Sequence, residues 1–248
     1  MKVSYRTILY DNYFSNHSTQ VNTIQATLCH RKYYNDYFLS KFLPLDKNIN
    51  ILDLGCAYGS ILSSLKALGY SNFTGVDSSK EAINLLSSTD FAHKVVESDI
   101  VEFLEKSVVQ GLKWDVVLAI DILEHFSKDE LVKVLCLLNK VVKPQGQLII
   151  KIPNMQSPLF SGTIALGDFT HETFVTPASL SQVLKSCGFN TVEGYEAYPV
   201  PYTFISTIRH YLWKIVRIIY TFLYAIETGS FDNSMIWSRS FFTTARNQ

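Results

Sequence analysis

The sequence predicts an α/β protein built on an open, doubly wound, mostly parallel sheet, and three observations carry that prediction. From Asn50 onward, short apolar runs alternate with stretches of helical periodicity, the pattern of parallel strands joined by crossover helices. The first run, Ile51 to Leu54, breaks into small residues at Gly55, Ala57 and Gly59 before an apolar periodicity resumes. A strand, a tight loop and a helix read this way. Acids then recur at Asp53, Asp77, Asp99 and Asp121, at steps of 24, 22 and 22 residues. Each falls near the end of an apolar run, so a parallel sheet collects all four on its carboxyl edge, where open α/β sheets bind ligands.

Taken in order, the first 48 residues are rich in aromatics, among them Tyr5, Tyr10, Tyr34, Tyr37 and Phe38. Their periodicity predicts a helix from about Thr19 to Phe42, forming a cap over the crevice. The strands are NILDL, NFTGVD, HKVVESD, WDVVLAID and GQLIIKIP. Between them, Leu62, Leu65 and Leu68 space a helical face that stops at Gly69, and Ser78 with Glu81 and Ser127 with Glu130 have capping-box spacing. Leu131, Leu135 and Leu138 fill the core side of a helix that ends before Pro144, and Thr176, Pro177 and Gly188 bracket another. No low-complexity linker interrupts the chain, so 1–248 is expected to be one domain: a cap over 1–48, a core over 49–155 and additions over 156–248.

Composition narrows the function. A chain of 248 residues can bury the core of one large domain. Its 22 basic side chains balance 22 acidic ones, which gives no broad attraction for a polyanion and argues against nucleic acid as the main partner. Cys29, Cys56, Cys136 and Cys187 lack metal-ligand spacing; three sit in apolar stretches, as reduced core thiols do. The opening MKVSYRTILYDNYF has no continuous apolar region or cleavage site, so a cytoplasmic protein is expected.

The loop discriminates between nucleotides. A dinucleotide fingerprint needs glycines at offsets of zero, two and five, where this chain has Gly55, Ala57 and Ser60. No lysine followed by serine or threonine closes a phosphate loop either. What remains is a ligand that uses a tight turn and backbone contact, carries no phosphate, and offers a ribose to Asp77. In DLGCAYG, GVDSS, ESDI, DVVLAIDILEH and KPQGQL the sequence resembles the class I S-adenosylmethionine-dependent methyltransferases over roughly Ile49 to Phe189, with a last strand at Ser238 to Asn247. The resemblance implies a seven-stranded Rossmann-like sheet and S-adenosylmethionine as cofactor. It also implies that Asp53 and the Gly55, Ala57 and Gly59 backbone hold the methionine end, that Asp77 and Ser78 hold the ribose, and that Asp99 and Ile100 hold the adenine, with Asp121 closing the crevice.

A methyltransferase mostly positions its substrates and, for a hydroxyl acceptor, supplies a base. The segment ALGDFTHETFVTP places Asp168, His171 and Glu172 on a polar loop, and His171 is the first candidate base, with Asp168 beside it. Similar histidine-bearing loops occur in methyltransferases of sugars and cell-surface glycans. Asp121, Glu124 and His125 stand at helix spacings of three and four. Quinone-biosynthesis O-methyltransferases have a similar pair here, in some cases tied to a divalent metal; no resident metal is expected, and His125 is kept as a catalytic candidate. Finally, 203–226 contains no acid, sets Ile208, Leu212, Ile215 and Ile219 on one helical face and Arg209, His210, Lys214 and Arg217 on another, and reads as an in-plane amphipathic helix or a packing surface. The expected activity is methyl transfer to a hydroxyl of a sugar or lipid-linked glycan intermediate. The alternatives are a quinone or other prenylated lipid acceptor, and a non-catalytic subunit of the same fold.

Overall fold

The computed structural model describes residues 5–10, 32 and 34–247; the part of the expected cap helix over 19–31 lies outside them. Helix α1 (Tyr5–Tyr10) and a helix α2 over 34–42 precede the core. The core then alternates: β1 (Ile51–Leu54), α3 (Ser60–Ala67), β2 (Phe73–Asp77), α4 (Lys80–Leu86), β3 (Val95–Glu97), α5 (Ile100–Val109), β4 (Trp114–Ile120), α6 (Lys128–Val141) and β5 (Val142–Pro153). After a short α7 (Ser161–Ala165) come α8 (Pro177–Ser186), β6 (Thr191–Glu196), α9 (Phe204–Thr228) and β7 (Ser240–Arg246).

The seven strands lie in the order β3-β2-β1-β4-β5-β7-β6. The first five are parallel, and β7 runs antiparallel between β5 and β6. This is the doubly wound, mostly parallel sheet that the alternation implied. β1 is buried along its whole length because helices cover both faces. One face packs Leu52, Val117, Leu135, Leu138, Leu148 and Leu184, and the other packs Ile51, Leu62, Leu65, Leu118, Ile149 and Phe38 of α2. Phe38 stacks on Phe242 of β7 at 4.5 Å, so α2 is part of the core wall. The free thiols of Cys56, Cys136 and Cys187 sit in or beside these clusters, as expected of reduced core cysteines.

Three local expectations change. The Ser127–Glu130 capping box forms, but the one expected at Ser78 does not: Ser79 is the cap of α4, accepting from the Ala82 amide. The cause is Asp77, whose Oδ1 accepts from the Ser79 amide at 2.8 Å and holds that residue extended for one position longer. The strand read from HKVVESD shrinks to Val95–Glu97 behind a turn of 3-10 helix over Ala92–Lys94. The sixth strand, TVEGYE, had no legible pattern of its own, because it is a half-exposed edge strand with no fully buried residue.

Candidate active site

All four cadence acids lie on the carboxyl edge, in two different states. Asp53 and Asp77 are buried, at 1% and 9% exposure, whereas Asp99 and Asp121 are exposed. Asp53 ends β1 with Oδ2 unpartnered, and burial together with the neighbouring Asp77 raises its carboxyl well above the ordinary carboxylate value. Asp77 works on the loop itself: Oδ2 accepts from the Ala57 amide at 2.8 Å, opposite the Ser79 bond to Oδ1. Burial raises its carboxyl too, and these backbone bonds oppose the shift. Asp99 caps α5, accepting from the Glu102 amide at 3.0 Å, with Ile100 buried behind it. Asp121, at φ 53°, pairs with Lys151.

The loop between β1 and α3 is shaped for close backbone approach. Gly55 and Gly59 have φ of 70° and 73°, and a Cβ on either would stand 2.9 Å from Ile122 or 2.7 Å from Leu86. Ala57 also takes a left-handed φ of 47°, a conformation that costs an alanine roughly 1–2 kcal/mol and is held by the bond to Asp77. α3 begins with no side-chain cap, so its first amides face the crevice without a local partner. Ser78 is exposed at the rim.

The second half of the site assembles around Glu124 and His125. A 3-10 turn over Leu123–His125 follows β4, and the Glu124 carbonyl accepts from the amides of Glu172 (2.8 Å) and Thr173 (3.1 Å), strapping the loop after β5 onto it. Three candidates read separately are thereby joined. Thr170 donates to Asp168 Oδ1 at 2.6 Å and contacts His125 Nδ1 at 2.9 Å. A hydroxyl donating to a carboxylate must accept from the ring, so Nδ1 of His125 carries the proton and Nε2 is its acceptor. His171 Nδ1 donates to the Ala165 carbonyl at 3.2 Å, which assigns the same tautomer. The two imidazoles meet edge to face at 4.9 Å. Burial and His171 push His125 down to about 4, so His125 is the ring kept neutral.

Glu124 is 3% exposed with Oε2 unpartnered, and burial and Asp121 push it up to about 8. Glu124, His125 and His171 each offer one ligand atom, all within 4.8 Å of one another, a set that a divalent cation could share. Asp121, grouped with Glu124 and His125 by its helical spacing, is instead committed to Lys151, and His171 stands beside them.

The sequence reading missed Thr170, whose partner lies 45 residues away, and Arg6. Arg6 forks onto Glu130 at 2.6 and 2.7 Å and also bonds Glu172, docking α1 against this edge; Tyr10 of α1 faces His125 at 6.3 Å between ring centres. An aromatic N-terminal cap was legible; its anchoring cation was not. Two cavities of about 340 and 300 Å³ open at the opposite, amino edge, around Asn50, Asn72 and Lys113 and around Lys66, Tyr70 and Asp90. Neither contains any of the four acids or the two histidines.

A parallel sheet with an antiparallel β7, a glycine loop after β1 and an acid closing β2 define the class I S-adenosylmethionine-dependent methyltransferase fold. Over residues 28–194 the chain matches the family described as "Methyltransferase domain", and it belongs to that family. It is 29% identical over 140 residues to a mitochondrial ubiquinone biosynthesis O-methyltransferase of Dictyostelium discoideum, covering 51% of this chain and 43% of that one. It is 28% identical over 166 residues to the ubiquinone biosynthesis O-methyltransferase of Methylobacterium nodulans, covering 61% and 63%. The match thus spans less than two thirds of either relative. Among solved structures, a SAM dependent methyltransferase from Archaeoglobus fulgidus superposes with a TM-score of 0.63 at 22% identity, covering 87% of this chain and 94% of that one. Human N-acetylserotonin methyltransferase in complex with SAM gives a TM-score of 0.54 at 15% identity, covering 88% and 51%. These two likenesses concern the fold.

Proposed function

We propose that the protein transfers the methyl group of S-adenosylmethionine to a hydroxyl of a lipid-carried acceptor of the quinone-precursor kind. The likeness to ubiquinone biosynthesis O-methyltransferases favours that acceptor over the glycan expected from the histidine loop. The exposed apolar face of α9 favours a lipid-carried molecule, with the protein attached peripherally at the cytoplasmic side of a membrane. The left-handed Gly55 and Gly59, crowded against Ile122 and Leu86, and the unpartnered Oδ2 of Asp53 fit a cofactor held by backbone. Gly55, Ala57, Gly59 and Asp53 would hold its methionine end, Asp77 and Ser78 the ribose, and Asp99 and Ile100 the adenine. When bound, the cofactor supplies an activated methyl group. The chain's own residues orient the acceptor and remove its proton.

The observation that carries this reading is the meeting of His125 and His171 at the carboxyl edge. His171 is the base: its Nδ1–H is fixed on Ala165, which leaves Nε2 as the proton acceptor. His125, fixed by Thr170 and Asp168, stays neutral beside it and forms the wall against which His171 is held. Replacing His171 by alanine should leave donor binding, read by calorimetry, within about twofold while lowering turnover roughly a hundredfold or more, the scale of general base catalysis. Unchanged turnover would remove His171 from the mechanism. A second reading, a divalent cation activating the acceptor, is favoured by the convergence of Glu124, His125 and His171. Activity abolished by a chelator and restored by magnesium would select it.

A further inference from the structure

We propose that the carboxyl edge of the sheet is a membrane-docking face, with α9 lying in the plane of an anionic bilayer and the loop after β5 making a second apolar contact beside the active site. The inference deepens the lipid-carried acceptor reading and rests on it for its biological consequence, although docking itself is measured without catalysis.

A surface helix of a globular protein turns its apolar stripe inward. α9 does the reverse. Ile208, Leu212, Ile215, Ile219, Phe222 and Ile226 are each 44–66% exposed, and at 100° per residue they fall within about 80° of arc. Its polar side faces the domain. His210 donates from Nδ1 to the Pro199 carbonyl at 2.9 Å, Thr221 accepts from the Trp237 indole at 3.0 Å, and Arg217 bonds the Asn233 carbonyl and pairs with Glu196. Two of the four cations read from the sequence as one polar face are thus spent on the protein.

The other two decide what covers the apolar arc. Arg209 and Lys214 are exposed, one beyond each border of that arc, and no acid occurs between Thr203 and Ile226. A second copy would bring the same two cations with one exposed acid, Glu227 in the last turn of α9, so the two faces would meet with net positive charge. Anionic headgroups meet both while the acyl region takes the apolar side chains. No described helix is long and apolar enough to cross a membrane, so α9 lies along the surface.

Topology places this helix beside the chemistry. β5 and β6 run in the same direction, both antiparallel to β7, so the chain leaves β6 for α9 and returns into β7 at the carboxyl edge. The loop after β5 leaves from that edge too and exposes Leu159 (66%), Phe160 (43%) and Leu166 (78%). Docked through both, the protein would present its acceptor site to the membrane surface.

The test is co-sedimentation of the full chain with vesicles of phosphatidylcholine and phosphatidylglycerol in equal parts, against phosphatidylcholine alone. The wild type should bind the mixed vesicles preferentially. Arg209→Gln and Lys214→Gln should each weaken that binding about fivefold. Ile215→Glu with Ile219→Glu should abolish it while keeping the thermal shift given by S-adenosylmethionine, because both positions are exposed. Leu166→Glu should weaken it about tenfold if the second contact exists. Wild-type protein that ignores both vesicle types overturns the proposal. So does a dimer in gel filtration that the double glutamate variant converts to monomer, because a second copy would then own the face. Wild-type protein that binds the mixed vesicles but transfers no methyl group to a quinone-precursor hydroxyl would count against the proposed function alone and leave the docking face standing.

Discussion

Asp77 shows how much one carboxylate can organise. By bonding the amides of Ala57 and Ser79 it joins the β1–α3 loop to the start of α4, so the turn proposed to hold the methionine end is braced by the residue proposed to hold the ribose. The neighbouring Gly59 has no freedom to change: its φ of 73° is unfavourable for any other residue, and a Cβ would stand 2.7 Å from Leu86 Cδ2. Gly59→Ala should therefore lower stability by about 1–3 kcal/mol in urea denaturation; a cost below a few tenths would show that the loop relaxes. Gly59 and Asp77 were legible as positions because each stands at a fixed offset within its own strand-loop-helix unit, whereas the bond from Asp77 across to Ala57 was not. Thr170 was not, because its role is to hold His125, and no local pattern ties a threonine after β5 to a histidine after β4.

At the scale of elements, α1 is held to the site by charge. Arg6 keeps the Glu130 carboxyl down at about 2, first through its side-chain hydrogen bonds. With the folded value below the unfolded one near 4.5, this contribution is complete above that value and is lost as pH falls toward 2. Arg6→Ala should make the amides of Tyr5–Tyr10 exchange faster at neutral pH. The cost in global stability should be about 1 kcal/mol or less, since both partners are about a third exposed. In wild-type protein the same segment should loosen on acidification before the core melts; equal protection of both proteins at neutral pH would show that α1 is held by something else. Elements with strong internal signals were readable, such as α6 with its Ser127–Glu130 box and α8 with Thr176 and Pro177. β6 was not, because an edge strand lacks the apolar run by which a buried strand announces itself. On α9 the apolar face was correctly read, but which cations point outward is a property of what lies beneath the helix.

For the molecule as a whole, the strand-helix alternation predicted a single doubly wound sheet, and that is the frame observed. The late insertion of β7 matters in another way. Seven residues of β5, Gln147–Pro153, pair with it on one side and all of β6 pairs with it on the other, so the strand nearest the C-terminus is interior to the sheet. A chain cut after Gly229 should leave both ladders open and be recovered as aggregate; a soluble truncated protein with a single cooperative melt would contradict that. Synthesis runs in the same order. α9 leaves the ribosome ahead of Ser240–Arg246, at a time when β5 has nothing beside it on that flank. A nascent chain therefore offers the apolar face of α9 first and zips its sheet last, so that, with α9 docked as proposed above, folding would finish at a membrane surface.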